Sequence, residues 1–359
     1  MNSQPEDATV QINKRLKVLH GDNLPPDETV NWSEAQAMAG SSQASSHLHH
    51  QEIQTPDIGA LVINWHITEV CNYNCLYCYA KWDKQRQTRE LLHHVAATTQ
   101  LLGDLYSFFS PDNLTNPLRH SLTWSRVRLN IAGGEPLLYS THVLAIARSA
   151  KKLGFEVSLI TNGSRLTPEL AAELAPMLTI LGVSIDALET DDNWNIGRID
   201  QRGRRLQLDV LEKAVATARA LNPELSLKVN TVVNSANHKR NLSAVVERLQ
   251  PGKWKVLRVL PVLTDDLTIT TSQFEDFVQR HQHFAGVMHP EDNSDMMESY
   301  IMVDPLGRFY QNALDSGRQG HLYSQPILEV GCQAAFGTLP FKPGRYQSRY
   351  VSLASKEVA

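Results

Sequence analysis

The sequence predicts an α/β protein: a partial (β/α)6 barrel of TIM type, with a C-terminal extension covering its opening. Three observations predict it. Six strand-like runs alternate with helix-like runs from residue 61 onward, which implies βαβ units and a parallel sheet. Right-handed crossovers curl six such units into an incomplete barrel, since a closed one needs eight. Residues 287–359 carry no such repeat and are expected to cover the opening.

The strand-like runs are LVINWHIT (61–68), RVRLNIAG (126–133), EVSLITNG (156–163), ILGVSID (180–186), SLKVNTVVN (226–234) and KWKVLRVLPV (253–262). Helical patterns cover 88–109, 141–153, 167–178, 207–221, 240–250 and 272–284. Central parallel strands are normally apolar on both faces. Here each has one polar parity: Asn64 and His66, Arg128 and Asn130, Ser184 and Asp186, Lys228 and Asn230, Lys253 and Lys255. Residues i and i+2 share a face of a strand. If the apolar parity meets the helices, the polar parity lines a wet lumen suited to a polar, anionic ligand.

Residues 1–57 read as a polar extension, 58–286 as the barrel core and 287–359 as the extension that closes the cavity. The stretch AGSSQASSHLHHQ (39–51) has nothing to pack and is expected to be disordered, with HLHH at most a weak metal site. The segment VQINKRLKVL (10–19) suggests one short helix. The chain has 359 residues, 42% of them hydrophobic, and a net charge of −4, so global charge favours neither nucleic acid nor a membrane surface. No apolar run reaches the roughly 18 residues of a membrane helix, and the N-terminus MNSQPEDATV lacks the pattern of a secretory signal. A cytoplasmic protein is expected. Three of four cysteines fall within eight residues, which points to a metal or redox site in a reducing compartment, not a disulfide framework.

Those three are Cys71, Cys75 and Cys78, a C-x3-C-x2-C run after the first strand. Thiolates that close can hold three irons of a 4Fe–4S cluster and leave the fourth open for chemistry. The alternative is a zinc site completed by His66 or His93. Ala132-Gly133-Gly134-Glu135-Pro136 follows the second strand; its glycines let backbone approach a ligand, and Glu135 is an acceptor. Lys228, Lys253, Lys255 and Arg128 are four cations on the lumen parity, without matching carboxylates on those strands. Buried together they demand an anion, and a triphosphate supplies about four negative charges. The fourth cysteine, Cys332, reads as buried.

The cysteine spacing and the GGEP turn resemble the radical S-adenosylmethionine enzymes. The runs NWHITEVCNYNC (64–75), RLNIAGGEP (128–136), IGR (196–198), KVNTVVN (228–234) and KWKV (253–256) narrow the resemblance to the viperins. Asp292-Asn293, Ser299-Tyr300 and ILEVG (327–331) follow in matching order, so the likeness spans about 60–350. It implies a 4Fe–4S cluster and S-adenosylmethionine as cofactors, with Cys71, Cys75 and Cys78 on the cluster. Tyr77, Gly133, Gly134, Glu135, Asn162, Ser184 and Arg198 would hold S-adenosylmethionine. Asn64, His66, Arg128, Lys228, Asn230, Lys253, Lys255 and Tyr300 would hold the substrate, His66 being equally readable as a core histidine and Arg128 standing where the family commonly shows Lys. Tyr300 is the candidate proton donor.

The implied activity converts a nucleoside triphosphate, CTP first and UTP or GTP next, into its 3′-deoxy-3′,4′-didehydro analogue. That product is a chain terminator, which implies an antiviral role. A reductant such as flavodoxin or ferredoxin would supply electrons. Residues 1–57 do not resemble the membrane helix of mammalian viperins, so the chain looks like the prokaryotic relatives. The rival readings are a radical peptide or protein modifier, disfavoured because only Cys332 is left for a second cluster domain, and a zinc-stabilised binding protein.

Overall fold

The computed structural model describes residues 57–80, 90–262, 264–313 and 320–354. The HLHH run, the 10–19 segment and nearly all of the N-terminal extension lie outside them.

The six expected strands are present: Ala60–His66 (β1), Arg126–Ala132 (β2), Glu156–Thr161 (β3), Ile180–Ser184 (β4), Ser226–Val233 (β5) and Lys253–Arg258 (β6). Each pairs in parallel with the next. The crossovers are helices Val95–Phe109 (α1), Ser140–Leu153 (α2), Pro168–Leu174 (α3), Thr190–Ile196 (α4), Leu208–Leu221 (α5), Ser243–Leu249 (α6) and Thr271–Arg280 (α7). Three helices are shorter than the sequence pattern because their ends tighten into 3-10 turns, at 91–93, 175–177 and 282–284. Helix α4 was not expected; it lies inside the crossover from β4 to β5.

The C-terminal part also builds sheet. Met288–Glu291 (β7) pairs in parallel with β6, and Ile301–Val303 (β8) in parallel with β1 at the opposite side. Arg308–Ala313 (β9) and Gly320–Pro326 (β10) continue antiparallel from β8. The strand order is therefore β10-β9-β8-β1-β2-β3-β4-β5-β6-β7, an open ten-stranded sheet. Strand β7 escaped the sequence reading because it is four residues long and contains Pro290, which an edge strand tolerates. Helices Ile327–Val330 (α8), Cys332–Phe336 (α9) and Pro343–Ala354 (α10) complete the chain.

The apolar parity makes the core. Leu61, Ile63 and Trp65 of β1 are fully buried in one cluster with Leu101 and Leu105 of α1 and Leu129 of β2. Cys332 is buried in the same cluster. The polar parity forms cross-strand rows on the other face. Asn130 donates to Asn64 Oδ1 at 2.9 Å, and Ser158 donates to Asn130 Oδ1 at 2.8 Å. Farther along, Lys228 lies opposite Lys253, and Asn230 opposite Lys255.

Candidate active site

The loop after β1 carries Cys71, Cys75 and Cys78, all half-buried and none in a disulfide. Its path is set by neighbours on both sides. Gly134 and Glu135 donate their backbone N–H groups to Thr68 O and Val70 O, at 2.7 and 2.8 Å. A Cβ on Gly134 would stand 2.4 Å from Val70 O, so the GGEP glycine is needed for the approach of two backbones. Farther along, Asn74 N donates to Gly197 O and Leu76 N to Ile196 O, both at 3.0 Å.

The thiols suit an iron–sulfur cluster. Tyr73 N donates to Cys71 Sγ at 3.4 Å and Asn162 Nδ2 does so at 3.8 Å, the kind of N–H to sulfur contact that tunes a cluster. Burial pushes the Cys71 thiol up to about 11; a positive metal centre favours the thiolate instead. Among the described residues no three His, Cys, Asp or Glu side chains converge as a single ion would require. His93 instead packs edge-on against Tyr139 and His142.

Glu135 is fully buried and accepts from Leu137 N, Thr161 Oγ1 and Asn162 N at 2.9, 2.7 and 2.6 Å. It ties the end of β3 to the GGEP turn, and so fixes Asn162 against the cysteine loop. Burial raises its carboxyl. Arg198, Asp186 and Tyr77 form a buried group: Arg198 pairs with Asp186 at 3.3 Å, donates to Ser184 O at 2.5 Å and to Tyr77 Oη at 3.2 Å, and Tyr77 donates to Asp186. Asp186 also accepts from Val232 N at 2.9 Å, so it bridges β4 and β5.

The strands that carry the cations supply no matching carboxylate, as expected, but the structure brings one in from another strand. Strand β7 brings Glu291 to within 2.7 Å of Lys255, and α10 brings Arg349 to within 2.5 Å of the same carboxylate. Tyr300, just before β8, accepts from Lys255 at 3.1 Å and from Arg349, whose guanidinium lies 3.8 Å from the ring centre. Burial raises the Tyr300 phenol. Burial and Arg349 lower Lys255 to about 8, although Lys255, Arg349 and Lys228 together hold Glu291 down at about 2. The pair is lopsided because Glu291 serves several cations at once, while Lys255 also feels the positive Arg349. Lys253 also falls to about 8, and Lys228 falls well below its usual value, each chiefly through burial and then the neighbouring lysine. Among the described residues neither forms an ion pair.

Other expected residues sit on the same walls. Asn64 is spent on Asn130 and Ile301 O, the latter at 3.2 Å. Asn230 is buried, and its Oδ1 has no partner among the described residues. His66 packs edge-on against Tyr79 and Tyr310, and burial lowers it to about 3, so it is neutral. Arg128 is half-buried, and its charge contributes to the lowering of both Lys228 and Lys253. Glu291 and Arg349 were missed: one lies on the unrecognised β7, the other on a C-terminal helix. The faint signal for Arg349 is its place between Tyr346 and Tyr350 on that helix, which also carries Arg345. A separate groove of about 550 Å³, lined by Phe108, Leu328 and Cys332, lies between α1 and α8–α9 on the helical layer and takes no part in this site.

The Radical SAM superfamily model matches residues 65–234. A protein of Psychrobacter lutiphocae named S-adenosylmethionine-dependent nucleotide dehydratase is 39% identical over 81% of this chain and 94% of its own length. One of the same name from Pseudoalteromonas ulvae is 41% identical over 84% and 96%. The chain belongs to the S-adenosylmethionine-dependent nucleotide dehydratases. Solved structures agree on the fold. Tagged anSMEcpe with bound AdoMet superposes with a TM-score of 0.55 at 13% identity, covering 77% of this chain and 80% of that one. Streptococcus suis SuiB bound to S-adenosylmethionine gives 0.50 at 12%, covering 81% and 68%. This nucleotide dehydratase is thus a radical S-adenosylmethionine enzyme that uses a 4Fe–4S cluster. Family membership sets aside both the zinc-stabilised binding protein and the peptide modifier. No described helix is long and apolar enough to cross a membrane.

Proposed function

We propose that the chain converts a nucleoside triphosphate, CTP first, with UTP and GTP as alternatives, into its 3′-deoxy-3′,4′-didehydro analogue. The observation that carries this is the cation set. Lys228, Lys253, Lys255 and Arg349 gather around Glu291, with Arg128 beside the lysines and Asp295 as a second carboxylate near Lys255 and Arg349. Cations buried in excess of carboxylates are costly until an anion joins them, and a triphosphate carries about four negative charges.

When bound, the cluster and S-adenosylmethionine supply a hydrogen-abstracting radical. The chain's own residues do the rest. Cys71, Cys75 and Cys78 hold the cluster. Asn162, Ser184, Arg198 and Tyr77 stand around the cofactor's place with Gly133 and Gly134, and Glu135 holds that wall together. The lysines grip the triphosphate, and the unpartnered Asn230 Oδ1 offers the sugar or base an acceptor. Fixing one end of the substrate fixes which ribose hydrogen lies nearest the radical, and position decides what such a species attacks. The substrate loses the C4′ hydrogen and the 3′-hydroxyl. Tyr300 already accepts from Lys255 and Arg349, so its own O–H is left to donate toward the departing hydroxyl.

A product without a 3′-hydroxyl terminates polymerase chains, which fits an antiviral role in a cytoplasmic enzyme fed by a low-potential reductant. The test incubates the reduced enzyme with S-adenosylmethionine and all four ribonucleoside triphosphates. Mass spectrometry should show one of them, CTP foremost, losing water while 5′-deoxyadenosine accumulates. Cys75→Ala should abolish both signals. If no triphosphate loses water while 5′-deoxyadenosine still forms, the substrate reading is wrong.

A further inference from the structure

Strands β9 and β10 extend the polar face of the sheet beyond β8. Met302 of β8 lies opposite Tyr310 of β9, and Tyr310 opposite Tyr323 of β10. Tyr310 packs edge-on against His66, with 5.7 Å between ring centres, so this row shares the face of the polar parity of β1. Cys78 and Tyr300 both pack against the same group. Two residues along that face stand Asn312 of β9 and His321 of β10, directly opposite each other. The His321 ring lies 5.2 Å from that of Tyr310 and 5.9 Å from that of Tyr323. Continuing the β8–β9 register brings Asn312 alongside Tyr300, and Gln311 Nε2 donates to Tyr300 O at 2.7 Å.

This cross-strand pair holds two acceptors that the chain does not satisfy. Asn312 is 5% exposed, and its buried Oδ1 has no hydrogen-bond partner among the described residues. His321 Nε2 lies 2.8 Å from Tyr79 O. A carbonyl only accepts, so Nε2 carries the proton and Nδ1 is the ring's acceptor. That Nδ1 is buried and likewise has no partner among the described residues. Burial lowers the pKa of the ring, which favours the neutral form. Buried acceptors are nearly always satisfied, so two of them on facing positions call for a group with two N–H donors. Tyr300 bonds to Lys255 on one side and packs beside Tyr310 on the other, so it stands between the cations and this pair. A nucleotide held by its phosphates on the lysines, with its ribose at Tyr300, carries its base toward Asn312 and His321.

We propose that Asn312 and His321 read the base: Asn312 Oδ1 and His321 Nδ1 accept the two N–H bonds of the 4-amino group of cytosine. Uracil and guanine present a carbonyl at the matching position, which would set a third acceptor against the two. A site built to bond a substrate N–H rejects an analogue that lacks it far more strongly than a purely apolar pocket does. The pair therefore selects CTP over UTP and GTP. The inference rests on the nucleotide reading of the site and adds the residues that choose the base.

The test measures calorimetric Kd values on reconstituted holoenzyme with its cluster oxidised, so that no turnover occurs. The ligands are CTP, UTP and the CTP analogue with hydrogen in place of the 4-amino group. The wild type should bind CTP at least about tenfold tighter than either of the others. Asn312→Leu should weaken CTP about tenfold and UTP less than about threefold, with the cluster's absorbance unchanged. A merely structural role for Asn312 would weaken both nucleotides alike, and that result would overturn the proposal. Equal wild-type Kd values for CTP and its analogue would overturn it without any variant, and would leave the nucleotide reading standing. If the wild type binds none of the three, the nucleotide reading itself fails and the base assignment falls with it.

Discussion

Lys253 and Lys255 are cations that the site's own residues hold at a disadvantage. Burial lowers each to about 8, helped by Lys255 beside Lys253 and by Arg349 beside Lys255, and a bound triphosphate would reverse that shift. The sign follows. Below pH 8 both lysines are charged and the anion gains their full attraction. As pH climbs past 8 the free site loses its protons first, so binding must take them up again. The nucleotide Kd should therefore rise about tenfold or more between pH 7.5 and 9.5. Calorimetry in buffers of different ionisation enthalpy should show proton uptake at pH 8.5, and a flat profile would remove the lysines from the phosphate site. The lysines themselves were legible in the sequence as polar residues on one strand parity. Glu291, which moderates them, was not, because a four-residue edge strand interrupted by proline leaves no periodic trace.

At the scale of elements, the cysteine loop takes its shape from contacts on two sides. The GGEP turn presses on Thr68–Val70, and the end of α4 presses on Asn74 and Leu76. Gly197→Ala adds a side chain at positive φ that collides with Asn74 O, so the loop or the helix end must move. We expect a loss of at least about 2 kcal/mol in stability. Cluster content should fall with it, read as iron and labile sulfide per chain after reconstitution. Full cluster occupancy in a stable Gly197→Ala variant would show that the junction is not what shapes the loop. The cysteine spacing and the GGEP motif were plain in the sequence because each is local. The α4 junction was invisible there, since a seven-residue helix with two acids, two asparagines and an exposed Trp carries no amphipathic pattern.

For the whole molecule, the C-terminal helix closes on the first strand. Tyr346 of α10 accepts from Val62 N at 2.6 Å and donates to Val62 O at 3.2 Å, across 284 residues of sequence. Three residues farther on, the same helix delivers Arg349 to Glu291 and Tyr300. Tyr346→Phe leaves a buried backbone N–H without its acceptor, which costs about 1–3 kcal/mol. The melting temperature should drop by several degrees, and nucleotide affinity should fall with it because Arg349 loses its mooring. An unchanged melting temperature would mean that α10 is held by packing alone.

The sequence by itself determined what depends on short range and on periodicity: the six βαβ units, the polar parity of their strands, the three thiols and the turn that faces them. These follow from neighbours within a few residues, and local chemistry dictates them. Tertiary structure alone decided which charges meet. Glu291 and Arg349 reach Lys255 from two segments 58 residues apart, on an edge strand and a late helix. Their meeting depends on the sheet's curl and on how the last helix packs across its first strand, and no local pattern encodes a contact that only the assembled sheet creates.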